Sequence, residues 1–256
     1  MKNKIAVVTG AVGHLGQEIC KSLAKKGVLI VAVDKNKNIG DEFVQSLKKE
    51  FPQKHCFVSV DLEKEEDIQK LVATVKKLFI SVDYLVNNAA FYDDIKGWGV
   101  PFEEEGYNAW ERVLKVNLLA PFFLTQKISP LMKKSSSPAI VNIGSIYGVV
   151  GPDHNLYCDT EMTNPAAYSA SKGGLLQTTK WLSTVLAPHI RVNMVSPGGI
   201  ERGQLKVFQD RYCKKTPLQR MAHEDDVSDV VRFLLSSEAK YITGQNIIVD
   251  GGWTVW

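Results

Sequence analysis

Ile5-Ala6-Val7-Val8-Thr9-Gly10-Ala11-Val12-Gly13-His14-Leu15-Gly16 is an apolar run that breaks into a glycine-rich turn and continues as a helical pattern. A strand, a tight turn and a helix in that order bring backbone N–H groups and the positive end of a helix to a phosphate. Glycine permits the tight turn and leaves room for the phosphate and for the strand behind. Read alone, the stretch also fits an ordinary βα turn. The next apolar run, 28–33, ends at Asp34, about where the ribose hydroxyls of an adenosine should lie in a dinucleotide fold. Together the two signals predict an α/β chain that opens on a dinucleotide-binding unit.

The alternation continues along the chain. Strand-like runs at 5–8, 28–33, 56–60, 84–86, 139–143, 191–195 and 246–249 are separated by helical periods. This pattern predicts a Rossmann fold: a doubly wound, seven-stranded parallel sheet with helices on both faces. At 256 residues and 45% hydrophobic content the chain can bury one sizeable core, so a single domain spanning 1–256 is expected. A boundary at Ser135-Ser136-Ser137-Pro138 would split the sheet. The glycine turn, Asn87-Asn88-Ala89-Ala90, Ser145 and Pro197 all fall at carboxyl ends of strands, where open α/β sheets bind ligands.

Tyr168 and Lys172 lie one helical turn apart in Ala167-Tyr168-Ser169-Ala170-Ser171-Lys172, which puts both side chains on one helix face. A free tyrosine titrates at about 10, and a nearby ammonium favours its phenolate. Such a pair offers acid-base chemistry without histidine or metal. By itself the spacing fits a solvated helix face equally well.

Composition removes several function classes. The formal net charge is +3, and lysine pairs such as Lys25-Lys26 and Lys133-Lys134 are balanced by acidic residues elsewhere, so nucleic acid is not expected as a partner. Cys20, Cys56, Cys158 and Cys213 show neither zinc spacing nor a disulfide framework. They read as reduced thiols of a cytoplasmic protein without a bound metal. Met1-Lys2-Asn3-Lys4 passes straight into the first strand, and no apolar stretch is long enough to span a bilayer, so no membrane partner is expected.

Taken together these residues resemble the short-chain dehydrogenase/reductase family over residues 5–253. Further landmarks recur in order: Asp61-Leu62, Asn87-Asn88-Ala89-Ala90, Asn117, Ser145, Pro197-Gly198 and Val249-Asp250-Gly251-Gly252. The resemblance implies hydride transfer between NAD and a secondary alcohol or ketone. It assigns proton exchange with the substrate oxygen to Tyr168 and makes Lys172 lower the tyrosine pKa and hold the nicotinamide ribose. Ser145 would hydrogen-bond the reacting oxygen and Asn117 would anchor a water in the proton relay. The cofactor would be held by Gly10, Gly13, His14, Leu15, Gly16, Asp34, Asp61, Leu62, Asn88, Ala89, Ala90, Tyr168, Lys172, Pro197, Gly198 and Ile200. Asp34 should accept from the ribose diol and repel a 2′-phosphate, favouring NAD over NADP, although the neighbouring Lys35 would soften that preference. Family members assemble as tetramers or dimers, so a homo-oligomer is expected, with Trp253 and Trp256 covered in it.

Three departures from the family pattern add detail. His14 stands where most members carry glycine, and the Gly10, Gly13, Gly16 spacing is that of nucleotide-sugar epimerases and dehydratases, which retain NAD. This keeps an epimerase or dehydratase as a second reading, with a catalytically idle nucleotide-binding scaffold as a third. The interval from Ser145 to Tyr168 is longer than usual and contains a polar insert, 151–163, which either sets specificity or serves as a surface loop or subunit contact. After Pro197-Gly198-Gly199-Ile200 comes Arg202 in place of a frequent threonine, followed by the basic residues Arg211, Lys214 and Lys215. The segment 199–217 is expected to act as a flap that closes with the insert over a polar or anionic small molecule; a solvated helix face is the alternative. In these details the chain is similar to bacterial oxidoreductases of surface-polysaccharide and flagellin-glycan biosynthesis, which implies a sugar or nucleotide-linked sugar of the legionaminic type as substrate.

Overall fold

The computed structural model describes residues 1–92 and 102–256. Strand β1 (Ile5–Thr9) is buried along nearly its whole length, as expected of a parallel strand covered on both faces. It pairs in parallel with β2 (Leu29–Asp34) on one side, Val7 opposite Val31, and with β4 (Tyr84–Asn87) on the other, Val7 opposite Leu85. Strands β3 (Cys56–Ser59), β5 (Ala139–Ile143), β6 (Arg191–Pro197) and β7 (Asn246–Val249) complete a seven-stranded parallel sheet in the order β3-β2-β1-β4-β5-β6-β7. The chain therefore reverses direction across the sheet between β1 and β4. That switch point opens a crevice at the carboxyl ends of the strands.

Alternate residues of β1 serve different layers, as the two-residue period of a strand requires. Ala6 and Val8 pack into a core with α1 (His14–Lys25), α2 (Lys37–Glu50) and α8 (Glu224–Leu235). Val7 packs into a core with α3 (Glu65–Leu78), α5 (Ala120–Met132) and α6 (Ala166–Val185). Helix α1 shows why: Leu15, Ile19 and Leu23 repeat every four residues on its buried face. Helix α4 (Tyr107–Leu114) runs through a π turn, Lys115–Leu119, directly into α5. Such an extra residue in a helix often marks a functional site, and here the turn carries Asn117.

The sequence expectation for β6 stopped at residue 195, whereas the strand runs on to Pro197, where Gly198 N–H donates to the Val249 carbonyl. A third apolar cluster caps this end of the sheet. It joins Leu156 of the 151–163 insert, Phe208 and Tyr212 of α7 (Lys206–Lys215), and Trp253. Trp253 is only 2% exposed and stacks on Tyr212, with ring centroids 6.0 Å apart. It is thus buried within its own chain, which corrects the expectation that it is covered by a partner subunit; Trp256 remains 74% exposed. Among the described residues no helix is long and apolar enough to cross a membrane, and no cluster of His, Cys, Asp and Glu is arranged to hold a metal ion.

Candidate active site

A cavity of about 370 Å³ lies in the crevice at the carboxyl ends of the strands, within the size range of small-molecule and cofactor sites. Its floor at one end is the turn after β1. Gly10 adopts φ +62°, and a Cβ there would fall 2.7 Å from Ala89 Cα; a Cβ on Gly16 would fall 2.0 Å from the Gly10 carbonyl oxygen. Asn88 Nδ2 donates to the carbonyls of Thr9 and Gly10 at 3.0 Å each, and Thr9 Oγ1 accepts from the N–H groups of Asn88 and Ala89. The turn is thereby tied to the end of β4.

Gly13 differs. Its φ of −70° suits any residue, and the nearest atom to an added Cβ is 3.4 Å away. Neither strain nor protein crowding demands glycine there, so the small residue leaves free space on the cavity side, at the uncapped start of α1. Asp34 ends β2 on the same rim, its carboxylate accepting from Val12 N–H at 3.4 Å and Asn36 N–H at 3.3 Å. His14, Leu15, Asp61, Leu62, Ala90, Pro197, Gly198 and Ile200 line the same cavity, as does Lys35. A cradle that a Cβ would fill, a helix start and an acid at the end of β2 fit a dinucleotide.

At the other end stand Ser145, Tyr168 and Lys172. Both α6 residues are buried. Lys172 Nζ donates to the Ile143 carbonyl at 2.9 Å and lies 5.6 Å from the centre of the Tyr168 ring, and burial brings its pKa down to about 8. The short helical turn Ile146–Gly148 begins at Ser145, whose Oγ accepts from Tyr147 N–H at 3.1 Å. Gly148 lets this turn press on α6, since a Cβ there would lie 2.7 Å from the Lys172 carbonyl carbon. Burial holds the Tyr168 phenol well above its ordinary value; Tyr92 adds to that rise, and a hydrogen bond with Ser145 opposes it. Burial and the influence expected of Lys172, whose ammonium lies 5.6 Å from the ring centre, thus act on this phenol in opposite directions.

Asn117 does not line the cavity. Its Oδ1 accepts from Phe91 N–H at 2.7 Å, and its Nδ2 donates to the Phe91 carbonyl at 2.9 Å and to Ser171 Oγ at 3.1 Å. Ser171 Oγ in turn donates to the Tyr168 carbonyl at 2.7 Å. The side chain expected to anchor a water is thus occupied by protein groups and braces the backbone on both sides of the site.

Several lining residues escaped the sequence reading. Tyr92 stacks on Tyr168, with centroids 4.7 Å apart and planes 26° apart. The hydroxyls of Tyr147 and Tyr157 lie 2.7 Å apart, and Phe208, Tyr212, Met162 and Met221 complete an aromatic and thioether wall. Tyr212 also accepts from Gly199 N–H at 2.5 Å, which fixes the flap to α7. The only available signal was aromatic residues in otherwise polar segments, such as Tyr157 in the insert.

The basic residues of the flap divide. Arg202 lines the cavity, with Nε 3.3 Å from Glu224. Arg211 and Lys215 do not line it: they pair with Asp159 at 2.9 Å and Asp153 at 2.7 Å, so they hold the insert. The basic stretch is therefore divided between the cavity and the insert.

Comparison with known proteins concerns the chain as a whole. Residues 10–254 match the family described as enoyl-(acyl carrier protein) reductase. Post-translational flagellin modification protein A of Campylobacter coli is 32% identical over 256 residues, covering 99% of both chains. Cyclopentanol dehydrogenase of a Comamonas species is 31% identical over 261 residues, covering 99% of this chain and 98% of the relative. Among solved structures, a short-chain dehydrogenase/reductase from Brucella melitensis titled glucose/ribitol dehydrogenase superimposes with a TM-score of 0.86 at 32% identity, covering 99% of this chain and 97% of that one.

Proposed function

This chain is an oxidoreductase of the short-chain dehydrogenase/reductase family, and from that premise we propose that it moves a hydride between NAD and a secondary alcohol or ketone on a sugar or nucleotide-linked sugar. The observation that carries the reading is the convergence of Ser145, Tyr168 and Lys172 on one end of a cavity whose other end is the Gly10-to-Gly16 cradle with Asp34. When bound, the nicotinamide supplies the redox step.

The protein's part is geometry and proton transfer. Ser145 and the Tyr168 hydroxyl hold the reacting oxygen, and the buried phenol gives or takes the proton at that oxygen. Lys172, fixed to the end of β5 through the Ile143 carbonyl, positions the tyrosine and holds the ribose. Asn117 acts as a positioning residue through Phe91 and Ser171. The Tyr147, Tyr157, Phe208 and Met162 wall keeps water from the reacting atoms. NAD is favoured over NADP because Asp34 presents a carboxylate where a 2′-phosphate would stand.

Two observations support a sugar. Tyrosine rings with hydroxyl tips suit a ring that is apolar on its faces and polar at its edge. The flagellin modification relative matches along its whole length. We place the enzyme in the cytoplasm, in keeping with its free cysteines, and as a homo-oligomer built on the face where Phe122 of α5 and Trp181 of α6 meet at 6.0 Å.

Isothermal titration with NADH and NADPH, after a check for cofactor carried through purification, tests this reading. Tight NADH binding with much weaker NADPH binding is expected. Retained NAD that resists exchange would favour the epimerase or dehydratase suggested by the glycine spacing, and binding of neither nucleotide would sink the enzymatic account.

A further inference from the structure

Glu63 and Phe91 both line the cavity, but they reach it from loops that the sheet does not join. Glu63 follows β3 and Phe91 follows β4, and in the order β3-β2-β1-β4 two strands stand between them. Three inter-strand steps put the ends of β3 and β4 about 14 Å apart. The glycine turn after β1 and Asp34 at the end of β2 lie in that interval.

Arg112 of α4 bridges it from behind. Its Nε and Nη2 donate to the two carboxylate oxygens of Glu63 at 2.7 Å each, a forked pair that fixes direction as well as distance. The same guanidinium lies over the Phe91 ring, 4.5 Å from its centre. Arg112 itself does not line the cavity. Each contact reaches further along its loop. Glu63 N–H donates to Asp61 Oδ1 at 3.1 Å, so holding Glu63 also steadies the Asp61 carboxylate, another lining group. The backbone of Phe91 is held in turn by Asn117.

We propose that Arg112 is a positioning residue for the dinucleotide, a cross-brace that keeps the loops after β3 and β4 at the separation its adenosine half requires. The inference rests on the dinucleotide reading of this cavity. Lysine cannot replace the brace, because a single ammonium does not present two parallel donors to a carboxylate and a flat face to a ring.

The test is titration calorimetry of the full chain with NADH and, separately, with ADP-ribose, which lacks the nicotinamide. Arg112→Gln is expected to weaken both ligands by at least about fivefold, and Glu63→Gln to do the same. The double variant should bind no more weakly than Arg112→Gln alone, and Arg112→Lys should not restore affinity. This cycle isolates the pair, since the other contacts of Arg112 are lost equally with and without the Glu63 carboxylate. A folding defect lowers the binding stoichiometry and leaves the Kd of the folded fraction unchanged, so it is not mistaken for loss of the brace. Unchanged affinity in Arg112→Gln, single effects that multiply in the double variant, or wild-type affinity in Arg112→Lys would each overturn the proposal. A wild-type chain that binds neither ligand would instead remove the dinucleotide reading beneath it.

Discussion

The side-chain amide of Asn117 pairs with the backbone of Phe91 much as two strands pair, accepting from its N–H at 2.7 Å and donating to its carbonyl at 2.9 Å. The π turn supplies the extra residue that places Asn117 at the segment following β4. Removing the amide leaves polar backbone groups unpaired next to the site, which costs about 1–3 kcal/mol. Asn117→Ala should therefore lower the urea midpoint as well as activity. Asn117→Asp, which keeps the acceptor and loses the donor, should fall between. An unchanged midpoint in Asn117→Ala would remove this bracing role.

The two glycines that differ in surroundings should differ in consequence. A Cβ at Gly16 meets the Gly10 carbonyl oxygen at 2.0 Å, so Gly16→Ala should destabilise the fold and abolish nucleotide binding together. Gly13 has room within the protein and an ordinary φ, but it is the N-cap of α1, where glycine is preferred to alanine, so the unfolded-state gain of about 0.4–1 kcal/mol from an alanine is opposed by a poorer cap. Gly13→Ala should shift the melting temperature far less than Gly16→Ala while weakening NADH binding at least about tenfold. Titration calorimetry beside thermal melts reads both effects, and wild-type NADH affinity in Gly13→Ala would place the pyrophosphate elsewhere.

Lys215 joins three parts of the aromatic end: its Nζ is 2.7 Å from Asp153 of the insert and 4.3 Å over the ring of Trp253, and its carbonyl accepts from Trp256 Nε1. The pair is partly exposed, so it contributes at most about 1 kcal/mol to global stability. Its effect should be local. Asp153→Asn is expected to leave the melting temperature nearly unchanged and to speed amide hydrogen exchange across the insert, more so at low salt where the intact pair is least screened. Exchange indistinguishable from wild type would mean that Leu156 and Tyr157 hold the insert without the ion pair.

The fold was legible because its signals are local. Val7 and Val8 sit in an unbroken apolar run because β1 is covered on both faces, and the turn from Thr9 to Gly16 advertises itself through residues adjacent in sequence. The positions of Ser145, Tyr168 and Lys172 followed from spacing along one helix and the end of one strand. What escaped notice depends on pairing across space. Arg211 and Lys215 read only as part of a basic stretch because nothing in the sequence shows that Asp159 and Asp153 face them. Trp253 read as a subunit contact because its partners, Tyr147 and Tyr212, are far away in sequence. Tyr92 drew no attention because its meaning comes entirely from the ring it stacks on.

Trp181 and Val185, four residues apart on α6, are 52% and 54% exposed, and the Phe122 ring of α5 adjoins the first. A contiguous apolar face of this kind is characteristic of a subunit contact. Trp181→Glu should yield a smaller species by sedimentation velocity, whereas truncation after Trp253 should not, since Trp253 is already packed within its own chain. An unaltered sedimentation coefficient for Trp181→Glu would exclude this face from the assembly.

Lys172 combines a buried ammonium with a neutral partner, the Ile143 carbonyl. Its folded pKa of about 8 lies below the ordinary 10.5, so between those values the unfolded chain binds the extra proton and stability rises with pH. Below about pH 8 both states carry the charge and the full penalty of burying it remains, about 3 kcal/mol as a ceiling. Lys172→Met should therefore abolish turnover and yet raise the melting temperature at pH 7, with the advantage shrinking as pH climbs toward 10.5. Paired melts of wild type and variant at pH 7 and pH 10 read the sign directly. A difference that stays constant across that range would show that the folded pKa is not lowered and that the ammonium carries no net burial penalty.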